Sequence, residues 1–175
     1  PGLVNGVLRN AVRNRNSIKE PTDLCDRYSH PQKLIDLLTA YVGKEKLEAM
    51  LQANNMVAPT VVQVNTKKIP AEKLQEKLQS EGVEAAAHPW LSDCLVLTNT
   101  GNLEMLPSFT EGLFYVQDAA AKLSVLCAQI PEGASVLDCC AAPGGKSFAA
   151  AIAGAGQVIS CDIHAHKVGL LQNGA

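Results

Sequence analysis

The chain has 175 residues, 47% of them hydrophobic and only 4% aromatic, with 15 Lys and Arg against 17 Asp and Glu. This composition sustains a buried core and excludes a disordered chain, and the length allows one or two domains. A net charge of −2 excludes a global basic field, so any nucleic-acid contact has to be local.

No run of about 18 apolar residues is present, and Pro1-Gly2-Leu3 is not a charged stretch ahead of an apolar one. The expectation is a soluble, unsecreted protein without a membrane span. Six cysteines, at 25, 94, 127, 139, 140 and 161, show no disulfide spacing, which fits reduced thiols in a cytoplasm.

Residues 1–19 hold Arg9, Arg13, Arg15 and Lys19 and no acid. Leu3, Val4, Val7, Leu8, Ala11 and Val12 recur at helical spacing and leave Arg9 and Arg13 on one polar face. Such a basic back suits RNA phosphates or plain solvent equally well. Residues 14–30 are polar, with Pro21 and Asp23 as breakers, and read as a linker. Pro31 then opens a helix with Leu34, Ile35, Leu38 and Val42 on its apolar side, stopped by Gly43. A second helix over 44–55 uses Leu47, Met50 and Leu51; His30 is read as a residue at the first helix's start, not a ligand.

Strands are predicted over 60–66, 83–87 and 95–98, and a helix over 71–81 carries Leu74 and Leu78. That order, βαββ, predicts a small α+β module with one helix on an antiparallel sheet. Trp90, the only tryptophan, reads as a packing residue, because stacking platforms present several aromatics. Asp118 then leads a helix whose apolar face is Ala120, Leu123, Leu126, Cys127 and Ile130.

The most informative stretch is 135–147. An apolar strand reaches Asp138, passes Cys139, Cys140, Ala141, Ala142 and Pro143 to Gly144-Gly145, and continues through Lys146 into an alanine-rich helix. Glycines at such a strand-to-helix turn let the backbone approach a ligand, and the helix presents unpaired N–H groups to an anionic part of it. A P-loop requires glycine six places before its lysine, where this chain has Cys140. The dinucleotide fingerprint requires three spaced glycines, where this chain has an adjacent pair after proline. A second strand over 157–161 ends on Asp162, a carboxylate placed for ribose hydroxyls about 20 residues beyond the turn. The Asp162-x-His164-x-His166 pattern hints at a metal, but that segment's predicted ribose contact argues for none.

Asp138-Cys-Cys140-Ala-Ala-Pro-Gly-Gly-Lys146 resembles the S-adenosyl-L-methionine motif of the RNA (cytosine-5) methyltransferases, closest to the bacterial Sun type that modifies small-subunit ribosomal RNA. The resemblance implies that Cys140, Ala141, Ala142, Pro143, Gly144, Gly145 and Lys146 line the cofactor and that Asp162 holds its ribose. It further implies that Val4-Asn5-Gly6-Val7-Leu8-Arg9-Asn10 is the last helix of a NusB-like RNA-binding domain, with Arg9, Arg13, Arg15 and Lys19 as RNA contacts. The βαββ unit then matches the family's RNA-recognition-like module, with Gln63 standing where the family usually has arginine. Gly112-x-x-x-Val116-Gln117-Asp118 resembles the segment leading into the methyltransferase domain, which lies beside the cofactor.

The expected class is α/β: N-terminal helices and an RNA-recognition-like α+β module, followed by the first βαβ half of a Rossmann-like methyltransferase domain. The expected divisions are 1–28, 29–108 and 109–175. The chemistry requires a thiolate to add to carbon 6 of cytosine before carbon 5 takes the methyl group, and a base to remove the extra proton. In the family those cysteines follow proline or threonine, and no Pro-Cys or Thr-Cys occurs here. The chain therefore reads as a fragment without the catalytic half, inactive alone, with ribosomal RNA as partner and no obligate protein partner. Two other readings remain open: a noncatalytic RNA-binding or assembly module, and a methyltransferase acting on protein or a small molecule.

Overall fold

A computed structural model describes residues 2–174, which fall into two compact units parting between Ala58 and Pro59. In the first unit, α1 (Gly2–Arg13) buries none of its residues, and Leu3, Val4, Val7, Leu8 and Val12 are all exposed. The polar interval that follows is not wholly linker. Asp23 does not break the chain there; its side chain accepts from the Asp26 N–H and caps a short helix, α2 (Leu24–Tyr28). Helices α3 (Gln32–Val42) and α4 (Lys44–Asn54) meet through Ile35, Leu47 and Leu51, with Leu24, Tyr28, Leu38 and Val42 closing around them. Tyr28 donates its hydroxyl to Glu48, which ties α2 to α4.

The second unit begins with β1 (Thr60–Val64), α5 (Ala71–Ser80), β2 (Glu84–Ala87) and β3 (Cys94–Thr98). After a short turn and α6 (Pro107–Thr110), β4 (Phe114–Val116) returns to the same sheet, in the order β2-β3-β1-β4, all antiparallel. This is βαββαβ connectivity with the second helix reduced to one turn, a ferredoxin-like arrangement. Sequence alone ended the module three strands in, because β4 has only three residues and shows no alternation of its own; pairing with Val62, Gln63 and Val64 makes it a strand.

The sheet is covered on two faces, not one. Val62, Val64, Leu95 and Leu97 face α5, where Leu74 and Leu78 are fully buried, each side chain contributing about 1.5–3 kcal/mol by leaving water. Val61 and Cys94 point the other way, against Ala119 and Leu123 of α7 (Ala119–Cys127). The face that α7 turns inward is only partly the one its apolar residues predict: Leu123 packs on the sheet and Ile130 beside α8, but Ala119, Lys122 and Val125 are the buried residues, and Ala120, Leu126 and Cys127 are exposed. Lys122 can be buried there because its charge is paired: Nζ lies 2.7 Å from Asp93 Oδ2, with only 4% of its side chain exposed. Trp90 is not a packing residue: it is 67% exposed, with its ring edge against His88.

Beyond α7, β5 (Ser135–Asp138) and β6 (Gln157–Ser160) pair in parallel through the crossover helix α8 (Gly145–Ile152), and α9 (Ala165–Gly174) follows. Val136 and Val158 pack on Val125, Ala149 and Ala150. Leu137 and Ile159, paired in register on the opposite face, remain 62% and 49% exposed.

Candidate functional site

The C-terminal ends of β5 and β6 are tied together at the loop that precedes α8. Asp138 Oδ2 accepts from Ser147 Oγ at 2.9 Å, and Ser147 Oγ accepts from Ser160 Oγ at 2.8 Å, so one carboxylate holds the end of β5 to the first turn of α8 and to β6. Its other oxygen accepts from the Cys140 N–H at 3.3 Å. Cys161 N donates to Asp138 O at 2.8 Å and Ala141 N to Cys161 O at 2.9 Å, extending the ladder past the strands. A cis Ala142–Pro143 peptide lies inside the turn. Gly144, at φ +118°, takes a conformation that side chains resist, and an added Cβ would overlap the Phe148 ring.

Asp162 faces back into this loop. Its Oδ2 accepts from Ala142 N at 3.2 Å and its Oδ1 from His164 N at 3.1 Å, with Lys167 Nζ 4.0 Å away and 7% of the side chain exposed. The His164 N–H holds its carboxyl below the usual carboxylate range; burial opposes this, and the Ala142 N–H and Lys167 add to it. An ionised carboxylate has about four lone-pair sites, so two N–H bonds leave it able to accept further hydroxyls. The loop glycines and this carboxylate are therefore neighbours at one end of one sheet.

Beneath the loop runs a buried polar chain that the sequence does not reveal. Gln63 is fully buried; its Nε2 donates to the Gln117 backbone oxygen at 3.1 Å, and its Oε1 accepts from Cys94 Sγ at 2.6 Å. Burial pushes the Cys94 thiol up to about 11, with the neighbouring Asp93 charge acting in the same direction. Tyr115 stacks its ring edge-on to Phe148 at 5.7 Å, and its buried hydroxyl has no partner. Desolvation raises that phenol well above its ordinary value.

Of the residues singled out by sequence, Ala141 and Gly144 are buried, Ala142, Gly145 and Asp162 half-buried, and Cys140, Pro143 and Lys146 exposed. Arg9 and Arg13 lie exposed on α1, Arg15 in the short 3₁₀ turn after it, and Lys19 in the exposed stretch beyond. Sequence reasoning missed Ser147 and Ser160, whose part depends on a register visible only once β5 and β6 pair. Two cavities flank the loop, of about 350 Å³ between α8, β6 and α9 and about 290 Å³ between α7, β5 and α8. Neither is lined by Gly144 or Asp162; Asp162 reaches the loop through the Ala142 N–H. Among the described residues no group of three His, Cys, Asp or Glu gathers as a metal site.

Residues 30–104 match the family described as Methyltr_RsmF/B-like, ferredoxin-like domain. The chain is 36% identical over 148 residues to Ribosomal RNA small subunit methyltransferase B of Vibrio cholerae serotype O1, covering 83% of this chain and 34% of that protein. It is 34% identical over 171 residues to the protein of the same name from Pseudomonas putida, covering 95% and 39%. Over most of its length the chain is thus similar to Sun-type ribosomal RNA methyltransferases, and residues 30–104 match their ferredoxin-like domain. It spans about a third of the length of the curated Sun-type relatives it matches. Two solved structures share the fold: a methyltransferase homolog protein from Pyrococcus horikoshii (TM-score 0.75, 24% identity, 86% of this chain and 50% of that one) and NSun6 from the same organism (TM-score 0.72, 16% identity, 82% and 62%). The family match to the ferredoxin-like domain stops before β4, although β4 completes that sheet here.

Proposed function

We propose that this chain forms the donor-binding part of an S-adenosyl-L-methionine-dependent methyltransferase acting on carbon 5 of a cytosine in small-subunit ribosomal RNA. The observation that carries the reading is the meeting of the glycine turn with Asp162 through the Ala142 N–H. The residues present suit such a cofactor: Gly144, at a φ that side chains resist, makes the sharp turn into α8, Gly144 and Gly145 give room to Phe148 and Gln117 packed beside it, and Asp162 retains acceptor capacity for two ribose hydroxyls. When bound, the cofactor supplies the methyl group. The residues from Cys140 to Lys146 line it, Asp162 orients its sugar, and Asp138 keeps the loop in register through Ser147.

On this reading the chain alone does not turn over RNA. Cys94, buried and held as a thiol near pH 7, is unfit as a nucleophile, and Cys139 and Cys140 belong to the donor loop. Residues 1–28 form the RNA-contacting end with Arg9, Arg13, Arg15 and Lys19, residues 29–108 the recognition module and residues 109–175 the donor part, with β4 shared between the last two. The protein works in the cytoplasm; no described helix is long and apolar enough to cross a membrane.

The test is a chemical-shift titration of the ¹⁵N-labelled chain with S-adenosylhomocysteine. Shifts should cluster in residues 138–148 and 160–164, and Asp162→Asn should weaken the affinity roughly tenfold, the scale of a lost hydrogen bond to a charged group. No titrating resonance in either segment would end the donor-binding reading.

A further inference from the structure

Three cysteines meet at the ends of β5 and β6, and the donor-binding reading uses only Cys140 of them. Past the last strand pair, Asp138 with Ser160, Cys161 N donates to Asp138 O and Cys161 O accepts from Ala141 N. Those two bonds bracket Cys139 and Cys140 opposite Cys161, one residue more than a regular parallel ladder holds. Cys139, the position after Asp138, is the in-register neighbour of Cys161, the position after Ser160.

Cys139 and Cys161 also share a face. Val136 and Val158 pack toward α7 and α8, and Asp138 and Ser160 follow them to Ser147. Strand alternation therefore sends Leu137 with Cys139, and Ile159 with Cys161, to the opposite side. Both thiols are free and exposed, like the two apolar residues before them. Register partners on adjacent strands stand about 4.8 Å apart, inside the roughly 4.4–6.8 Å that a disulfide spans between Cα atoms. Their Cβ atoms are about as far apart, whereas a disulfide draws Cβ atoms to about 3.8 Å, so closing the bond pulls the two chain segments together by about 1 Å. An exposed bond made under that strain is easily reduced, which suits a reversible switch in a reducing compartment. Asp162 directly follows Cys161, and a shift of this size alters its 3.2 Å contact with Ala142 N.

We propose that Cys139 and Cys161 form a thiol–disulfide switch at the ends of β5 and β6 whose closure weakens donor binding. The effect on the donor rests on the donor-binding reading above; the pairing of the two cysteines does not. The oxidant is a low-molecular-weight disulfide. One protein thiolate attacks it, forming a mixed disulfide and releasing one small thiol; the second thiolate then displaces the other small thiol as the Cys139–Cys161 bond closes. Two protein thiols are oxidised, one small disulfide is reduced to two thiols, and the two protons pass to the departing thiolates.

The experiment treats the intact chain with glutathione disulfide, isolates the monomer, and compares it with the same sample reduced by dithiothreitol. Trypsin cuts after Lys122, Lys146 and Lys167, so the switch joins peptides 123–146 and 147–167, and fragmentation separates Cys139 from Cys127 and Cys140. Affinity for S-adenosylhomocysteine, from chemical-shift titration, should fall about tenfold on oxidation and return with dithiothreitol. Cys161→Ser, at a position outside the donor-lining residues, should keep the reduced parent's affinity whether or not glutathione disulfide is added. Absence of the joined peptides, linkage through Cys127 or Cys140, or a Cys139–Cys161 bond that leaves affinity unchanged overturns the proposal while the donor-binding reading stands. A reduced parent that does not bind S-adenosylhomocysteine removes that reading, and the switch with it, whatever the peptide map shows.

Discussion

The two sheets of the second unit use the same apolar residues to opposite effect. In the four-stranded antiparallel sheet, β1 buries Val61, Val62, Gln63 and Val64 in succession, because α5 covers one face and α7 the other. In the parallel pair, α7 and α8 cover Val136 and Val158, while Leu137 and Ile159 keep much of their surface in water. Parallel strands are usually buried on both faces, so an apolar residue here does not by itself mean a core position. Burial, and with it stability, follows the helices laid over a sheet more than the hydrophobicity of the strand.

Mutations at matched positions break or sharpen that contrast. Leu74→Ala, at a fully buried site between α5 and the antiparallel sheet, should cost about 2–5 kcal/mol in urea unfolding followed by circular dichroism. A loss below about 1 kcal/mol would mean that this sheet is no better closed than the parallel pair. Lys122→Ala, on the second face, leaves Asp93 without its partner. With Asp93 still 28% exposed and partly hydrated, the expected loss is smaller than for a fully buried pair, roughly 2 kcal/mol. Lys122→Met, which keeps the packing stem, should recover part of it. The smallest effect belongs to the bare face: Leu137→Ser should change stability by no more than about 0.5 kcal/mol, as exposed sites do. A large loss there would show that this face is covered in solution.

Much of this was legible from residue order. The spacing of Leu74 and Leu78 predicts α5, Asp118 caps α7 as its chemistry requires, and the run from Asp138 to Lys146 forms the strand-to-helix turn expected of it. Other features were closed to inspection because they depend on partners distant in sequence. Lys122 looks like a surface residue until Asp93, 29 positions away, is brought to it. The three residues of β4 become a strand only through the edge of β1. Asp23 reads as a breaker unless the Asp26 N–H is seen to use it.

By itself, then, the sequence determined the local elements and the donor-loop signature, since helix periodicity, capping and turn chemistry act over a few residues. Only the tertiary structure decided which face of α7 turns inward, how many strands the antiparallel sheet holds, and that the Gln117 amide lies under Gly145. Those outcomes depend on packing and pairing between segments tens of residues apart, which no local pattern of residues records.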